Sequence, residues 1–289
     1  MEKVGIYTKI TPEDEKYPEQ LRKYKDRPKQ LYCLGNLEIF KKKMVAVVGS
    51  RRTSQYGRWV ARNISEKLAR ADVAVVSGMA KGIDTAAHSG ALNSEGTGKT
   101  IAVLGTGIDK CYPAENWSLK DHIAHEGLVI SEYEPGVEGA AWRFPMRNRI
   151  ISALSEMIVV CEAGVGSGAL NTAQQGQDMN KKIAAVPGNI NSAYCMGSNK
   201  LLQDGAMPIV VMDDVLQYIG INGTIEFKNI ELSDSEKEVL NHIQGRGEVP
   251  IEKLCVEMGK RPPEINGIIT ILEMKGVVCT SLGKVFVAK

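Results

Sequence analysis

Seven short apolar runs, six of them followed within a few residues by a glycine, constrain this chain more than any other feature. They are MVAVVG (44–49), VAVVSG (73–78), TIAVLG (100–105), LVISEY (128–133), MIVVCEA (157–163), KIAAVPG (182–188) and PIVVM (208–212). Most are near-continuous stretches of β-branched residues. Such runs suit strands covered on both faces, as in a parallel sheet, and not the alternation of a half-exposed antiparallel one. Longer amphipathic stretches separate them, at about 57–70, 84–92, 113–126, 145–154 and 169–180. Strand and helix in turn imply right-handed βαβ crossovers, and hence a doubly wound α/β domain with a mostly parallel sheet.

Four zones follow. Residues 1–43 are basic and turn-rich and read as an N-terminal extension packing on the core. Residues 44–220 hold the α/β domain, 221–232 lack a strong period and read as a linker, and 233–289 change pattern. There, Ser233 and Glu236 form a capping box at the start of the helix EKEVLNHIQ. PIEKLCVEM and PPEINGIITILEMKG read as two further helices, and VVCTS with KVFVA as a hairpin. Three helices and a β-wing make a small C-terminal winged-helix domain. Its third helix carries Glu264 and Glu273 against Lys275, and residues 226–289 hold nine Lys/Arg against ten Asp/Glu. That balance favours protein contact or weak DNA contact over base readout.

Composition narrows the function. No apolar run approaches the ~20 residues of a membrane-spanning helix. The first twenty residues are charged throughout and lack an apolar signal-peptide core. The chain is therefore expected to be cytoplasmic and unanchored. Its six cysteines form no CxxC pair and its four histidines add no ligand pattern, so no metal or other cofactor is expected.

The glycines follow the strands: Gly49-Ser50-Arg51, Ser77-Gly78-Met79-Ala80-Lys81-Gly82, Gly105-Thr106-Gly107, Gly164-Val165-Gly166-Ser167-Gly168 and Pro187-Gly188. Open parallel sheets bind ligands beyond the carboxyl ends of their strands. Glycine loops there free backbone N–H groups for an anion, and helix N-termini point to the same place. Gly98-Lys99-Thr100 is not a phosphate-binding P-loop, because Asn93 stands at the required glycine and the segment precedes a strand. GSRRTSQYG is not the dinucleotide fingerprint, and Ser77 stands where the second strand would end in a ribose-binding carboxylate. Net charge is only +2, but no acid lies between Glu38 and Glu66 or between Glu138 and Glu156, stretches that carry ten Lys/Arg.

At these loops the sequence resembles the DNA-processing protein A family, also called DprA or Smf. The matching segments are YPEQL…RPKQLYCLGN (17–36), VAVVGSRRTSQYG (45–57), VVSGMAKGIDTAAH (75–88), TIAVLGTGIDKCYP (100–113), LVISEYEPG (128–136), FPMRNRIISALS (144–155), EAGVGSGALNTA (162–173) and VPGNI (186–190). The resemblance implies an extended Rossmann-like domain without catalytic activity. It also implies that the protein binds and shields single-stranded DNA in natural transformation or recombination and helps load a RecA-type recombinase. A homodimer is implied too, expected through residues 190–218. Ala169 stands where the family usually has serine, and no basic residue lies at Val165 or Gly166. That loop is therefore expected to hold DNA through backbone groups and Ser167.

The expected single-strand-binding set is Gly49, Ser50, Arg51, Arg52, Ser77, Gly78, Lys81, Gly82, Arg143, Phe144, Arg147, Asn148, Arg149, Ser167, Gly168 and Thr172. Arg51 and Lys81 are expected to point into the crevice, with Arg58 and Arg62 facing away on the following helix. Phe144 is a candidate for base stacking or a core anchor. One of Arg147 and Arg149 is a candidate for a structural ion pair with Glu132 or Glu162. The alternatives are a nucleotide-ligand sensor and a nucleotide hydrolase. The hydrolase would need a glutamate near Gln174 or Gln175.

Overall fold

A computed structural model describes residues 7–221, 232–244, 246, 248–275, 277–281 and 283–287. Residues 222–231, most of the expected linker, and residues 1–6 of the expected extension lie outside the described residues. The valine-rich runs become strands because both their faces are covered. Val45 and Val47 lie in one core with Val60, Ile64 and Leu68, while Ala46 and Val48 lie in another with Ile150, Ile151 and Leu154.

Chain contacts divide the protein into residues 1–222 and 223–289. The first unit is built on nine strands. They are β1 (Thr8–Ile10), β2 (Leu31–Gly35), β3 (Met44–Val48), β4 (Ala74–Ser77), β5 (Thr100–Leu104), β6 (Leu128–Ser131), β7 (Met157–Val160), β8 (Lys182–Ala185) and β9 (Met207–Pro208). Their order is β1-β2-β6-β5-β4-β3-β7-β8-β9. The seven from β6 to β9 run parallel, and β2 and β1 add an antiparallel edge. Its helices are α1 (Glu19–Arg22), α2 (Gln55–Arg70), α3 (Ile83–Leu92), α4 (Trp117–Glu126), α5 (Arg143–Leu154), α6 (Gly168–Asp178), α7 (Met196–Gln203) and α8 (Asp214–Gln217). This is an extended Rossmann-like sheet. The chain leaves β3 toward β4 and leaves β7 toward β8, in opposite directions, so a crevice opens between their carboxyl ends.

Two departures from the sequence reading have local causes. The run 208–212 is not a five-residue strand: only Met207 and Pro208 pair with β8. The Asp214 carboxylate accepts the N–H groups of Val210 and Val211 at 2.7 and 2.9 Å and turns the chain into α8. The first zone adds β1 and β2 to the sheet, with Leu31, Tyr32 and Cys33 buried.

The second unit has helices α9 (Asp234–Ile243), α10 (Ile251–Met258) and α11 (Pro262–Met274). Strands β10 (Val249–Pro250), β11 (Val278–Ser281) and β12 (Lys284–Val287) form an antiparallel sheet in the order β10-β12-β11. Ser233 and Glu236 form the expected capping box. Val239, Ile243, Leu254, Ile269, Leu272 and Val285 form its core. Among the described residues of both units, no helix is long and apolar enough to cross a membrane.

His88 of α3 is fully buried beneath the sheet. The Thr100 hydroxyl donates to the Val75 carbonyl at 2.8 Å, so the 2.7 Å contact with His88 Nδ1 requires the ring to donate there. Nε2 has no hydrogen-bond partner among the described residues. Burial, aided by the Arg147 charge, lowers the His88 pKa from 6.5 to about 3. The folded protein therefore binds fewer protons than the unfolded chain between these values, and stability falls as pH drops from 6.5 toward 3. His88→Asn, which keeps a donor for Thr100, is expected to flatten the loss of melting temperature between neutral and acidic pH. Thermal unfolding across that range measures the difference.

Candidate nucleic-acid interface

Three loops meet at the crevice, two of them held by buried charged side chains. The loop after β3 is tied to the end of β7. Ser50 N–H donates to the Glu162 carbonyl at 2.7 Å. The Glu162 carboxylate is 2% exposed and accepts Ser54 N–H at 2.8 Å, Ser54 Oγ at 2.7 Å and the Thr53 hydroxyl. Ser54 Oγ in turn caps α2 by accepting Gly57 N–H at 2.9 Å. The ends of the loop are thus fixed while Arg51 and Arg52 stay exposed. Among the described residues neither has a carboxylate partner at ion-pair distance.

The loop after β4 is shaped by Asp84 and Arg147. Asp84 accepts the N–H groups of Gly78 and Ala80, both at 3.2 Å. Burial pushes its carboxyl above the usual range, and the Arg147 charge opposes that shift. Arg147 is itself 4% exposed and donates to the carbonyls of Gly78, at 2.5 Å, and Val103. Burial lowers its pKa to about 10, which leaves the guanidinium charged at neutral pH. A Cβ at Gly78 would collide with that guanidinium, and Gly82 combines a φ of +82° with a close approach to the Ser50 carbonyl. Both positions therefore need glycine.

The loop after β7 ends at Ser167, which caps α6 by accepting Ala169 N–H at 3.4 Å. Asn148 Nδ2 donates to the Gly168 carbonyl at 3.4 Å and joins this loop to α5. Between the three loops lies a cavity of about 450 Å³. It gathers ten of the expected residues: Gly49, Ser50, Arg51, Arg52, Phe144, Arg147, Asn148, Ser167, Gly168 and Thr172. The Phe144 ring both lines the cavity and packs against Gly105, with the Arg51 guanidinium 5.4 Å above it.

The other six lie elsewhere. Ser77 is fully buried and donates to the Val47 carbonyl at 2.7 Å, joining β4 to β3. Gly78 and Gly82 shape the loop without lining the cavity. Lys81, expected to point into the crevice, pairs with Glu115 at 2.7 Å, both side chains exposed. Arg143 donates to the Glu138 carbonyl and lies over the Tyr133 and Trp142 rings at 5.3 and 4.9 Å. Arg149 makes a two-pronged pair with Glu132 at 2.7 and 3.0 Å, so its charge is taken within the fold. Arg147 is the second correction in this triplet. It touches the cavity, yet its hydrogen bonds go to protein carbonyls.

Sequence reasoning missed Tyr112, whose ring is half exposed and lies 5.0 Å from Phe144 at a tilt of 32°. Its only signal was the Cys-Tyr-Pro turn after the third glycine loop. It missed Asp84 as well, although an acid two residues past Gly82 in the first turn of a helix is a capping signal. At the position where a hydrolase glutamate would fall, Gln174 is exposed and donates to Asp178 at 3.0 Å.

The sequence matches the model of the family described as DNA recombination-mediator protein A over residues 8–220. The chain belongs to that family. It is 42% identical to DNA processing protein DprA of Streptococcus pneumoniae over 203 residues, which is 70% of this chain and 71% of the relative. It is 32% identical to protein Smf of Escherichia coli over 284 residues, 95% of this chain and 75% of the relative. The crystal structure of the Streptococcus pneumoniae protein superposes with a TM-score of 0.69 at 40% identity, covering 73% of this chain and 74% of that one. A structure of DNA processing protein A from Helicobacter pylori, described for its single-stranded DNA binding mode, gives 0.69 at 30% identity. It covers 76% of this chain and 98% of that one.

The buried and the exposed arginines of this DprA-family crevice are expected to separate in stability measurements. Arg147→Ala leaves Asp84 buried without its counter-charge and two carbonyls without donors, and is expected to cost about 3–5 kcal/mol. Arg51→Ala removes an exposed, unpaired charge and is expected to leave the unfolding midpoint nearly unchanged. Urea unfolding of the two variants checks both.

Proposed function

We propose that the chain binds single-stranded DNA in the crevice between β3 and β7 and acts as a non-catalytic mediator of recombination. The observation that carries this reading is the pairing of Arg51 with Phe144. An unpaired cation sits 5.4 Å over an aromatic ring that lines a cavity edged by the amide-rich loops 49–52 and 166–168. Cations and amides suit phosphates without regard to sequence, and a ring suits a base face. Duplex DNA keeps its bases stacked inside, so a cavity with one ring favours an unpaired strand. The Helicobacter pylori relative's described single-stranded DNA binding supports the same reading.

Three further elements belong to the proposal. The family's description as a recombination mediator supports a RecA-type recombinase as partner. The engagement of both Glu162 carboxylate oxygens by Thr53 and Ser54 supports the absence of catalysis, since that carboxylate is held by the loop and not left to act as a base. The exposed Ile190, Tyr194, Met196 and Val210 support a homodimer through residues 190–218, with the second unit read as a winged helix that contacts protein. A sedimentation mass near 31.5 kDa at micromolar concentration would contradict the dimer. The site of action is the cytoplasm, where recombination intermediates are.

Oligo-dT is expected to bind the full chain better than duplex of equal length, with affinity falling steeply as salt rises. Replacing Arg51 and Arg52 together by Ala is expected to weaken that binding. The slope of log affinity against log salt is expected to fall by about 0.7 for each phosphate no longer neutralised. Duplex preference, or normal oligo-dT binding by the double variant, would overturn the reading. Nucleotides incubated with the protein are expected to be recovered unchanged.

A further inference from the structure

Beside the crevice, the outer face of α2 carries exposed rings and cations that no carboxylate neutralises among the described residues. Its inner face is spent on Val60, Ala61, Ile64 and Leu68, all buried. Outside, Tyr56 and Trp59 are 53% and 56% exposed, their rings stacked with centroids 6.3 Å apart and planes 23° apart. Large exposed aromatics on a helix surface are costly to leave in water, and two in one turn call for an occupant. Arg58 and Arg62, one turn apart, are exposed as well. Among the described residues neither has a carboxylate at ion-pair distance. The next acid along the helix, Glu66, is committed to Arg70.

The patch is continuous with the crevice. Arg58 Nη1 donates to the Thr53 carbonyl at 3.2 Å, which folds its guanidinium back onto the loop that carries Arg51 and Arg52. Arg52, Arg58 and Arg62 therefore make a row of cations without carboxylate partners among the described residues, leading from the cavity edge along α2, with the Tyr56–Trp59 stack in the same two turns. Helix periodicity puts positions 58 and 62, and positions 56 and 59, on adjoining stripes of one surface. Unpaired cations interleaved with exposed rings match a chain of phosphates and bases, whereas an apolar protein partner would leave three guanidinium groups without counter-charges.

We infer that the outer face of α2, through Arg58, Arg62, Tyr56 and Trp59, is a second subsite for single-stranded nucleic acid, occupied by the strand as it leaves the crevice. This rests on the crevice reading above and lengthens its footprint. It also assigns different length dependence to two sets of side chains that lie within one loop and one helix of each other.

The experiment compares oligo-dT of about 6 and about 20 nucleotides, which bracket the ~4–16 nucleotides of known single-strand sites. The full chain is used, with unfolding midpoints recorded to show that each variant is folded. Y56A/W59A is expected to bind the short oligomer as the parent does and the long one about tenfold more weakly, the scale of one base–aromatic stack. R58Q/R62Q is expected to lower the salt slope for the long oligomer only, by about 1.4 for two phosphates. In a W117F/W142F background, Trp59 fluorescence is expected to change with the long oligomer and not the short one.

Parent-like binding of both lengths by the α2 variants, with R51A/R52A weakened on both, overturns the second subsite and leaves the crevice standing. Parent-like binding by R51A/R52A overturns the crevice reading instead. Weakening of both lengths by the α2 variants makes α2 the primary site and overturns the extension. Unchanged DNA affinity with an altered sedimentation mass makes this face a protein interface, and also overturns it.

Discussion

The geometry of the crevice depends on one buried cation. Arg147 enters from α5 and donates to carbonyls at the ends of β4 and β5, so a helix is fastened to two strands by buried hydrogen bonds. Gly78 lacks a side chain because the guanidinium occupies that space, and Asp84 is acidic because a buried cation needs a counter-charge. Phe144, one turn earlier on α5, is set above Gly105 by the same attachment. Glu162 does the equivalent work on the other side, holding the loop after β3 from the end of β7. Arg147 and Glu162, of opposite sign, thus fix the walls, and Arg51 and Arg52 at the cavity are left without carboxylate partners among the described residues.

That division explains why neighbouring basic residues have unlike roles. Residues 147, 148 and 149 are consecutive, but a helix turns about 100° per residue, so three in a row cannot share a face. Arg147 goes inward, Asn148 faces the cavity and the Gly168 carbonyl, and Arg149 reaches Glu132. Arg51 and Arg52 sit on a loop, where no such period applies, and both stay at the cavity. The charge available to a polyanion is therefore smaller and more localised than a count of Lys and Arg suggests.

The fold was legible where burial leaves a pattern. Six of the seven strands of the parallel sheet follow from near-continuous apolar runs, because covering both faces forces that composition. The run 208–212 has the same composition, but Asp214, four residues past Val210, captures its backbone. Strand β2 was harder to read because its signal, LYCLG, sits among turn residues. In the site, the loops were legible from glycine and Arg. The fate of each side chain was not, since Ser77, Lys81 and Arg149 find partners distant in sequence: Val47, Glu115 and Glu132. Tyr112 joins Phe144 across 32 positions, a pairing visible only once β5 and α5 are side by side.

The most direct measurement is amide hydrogen exchange of the full chain with and without saturating oligo-dT. The loops after β3, β4 and β7 line the crevice, and loops of this kind exchange at the low-stability end of a fold. A strand seated in the crevice predicts protection concentrated in residues 49–54, 78–84 and 164–170, together with the start of α5 at 143–149. Protection confined to residues 233–287, with those loops exchanging as in the free protein, would contradict it.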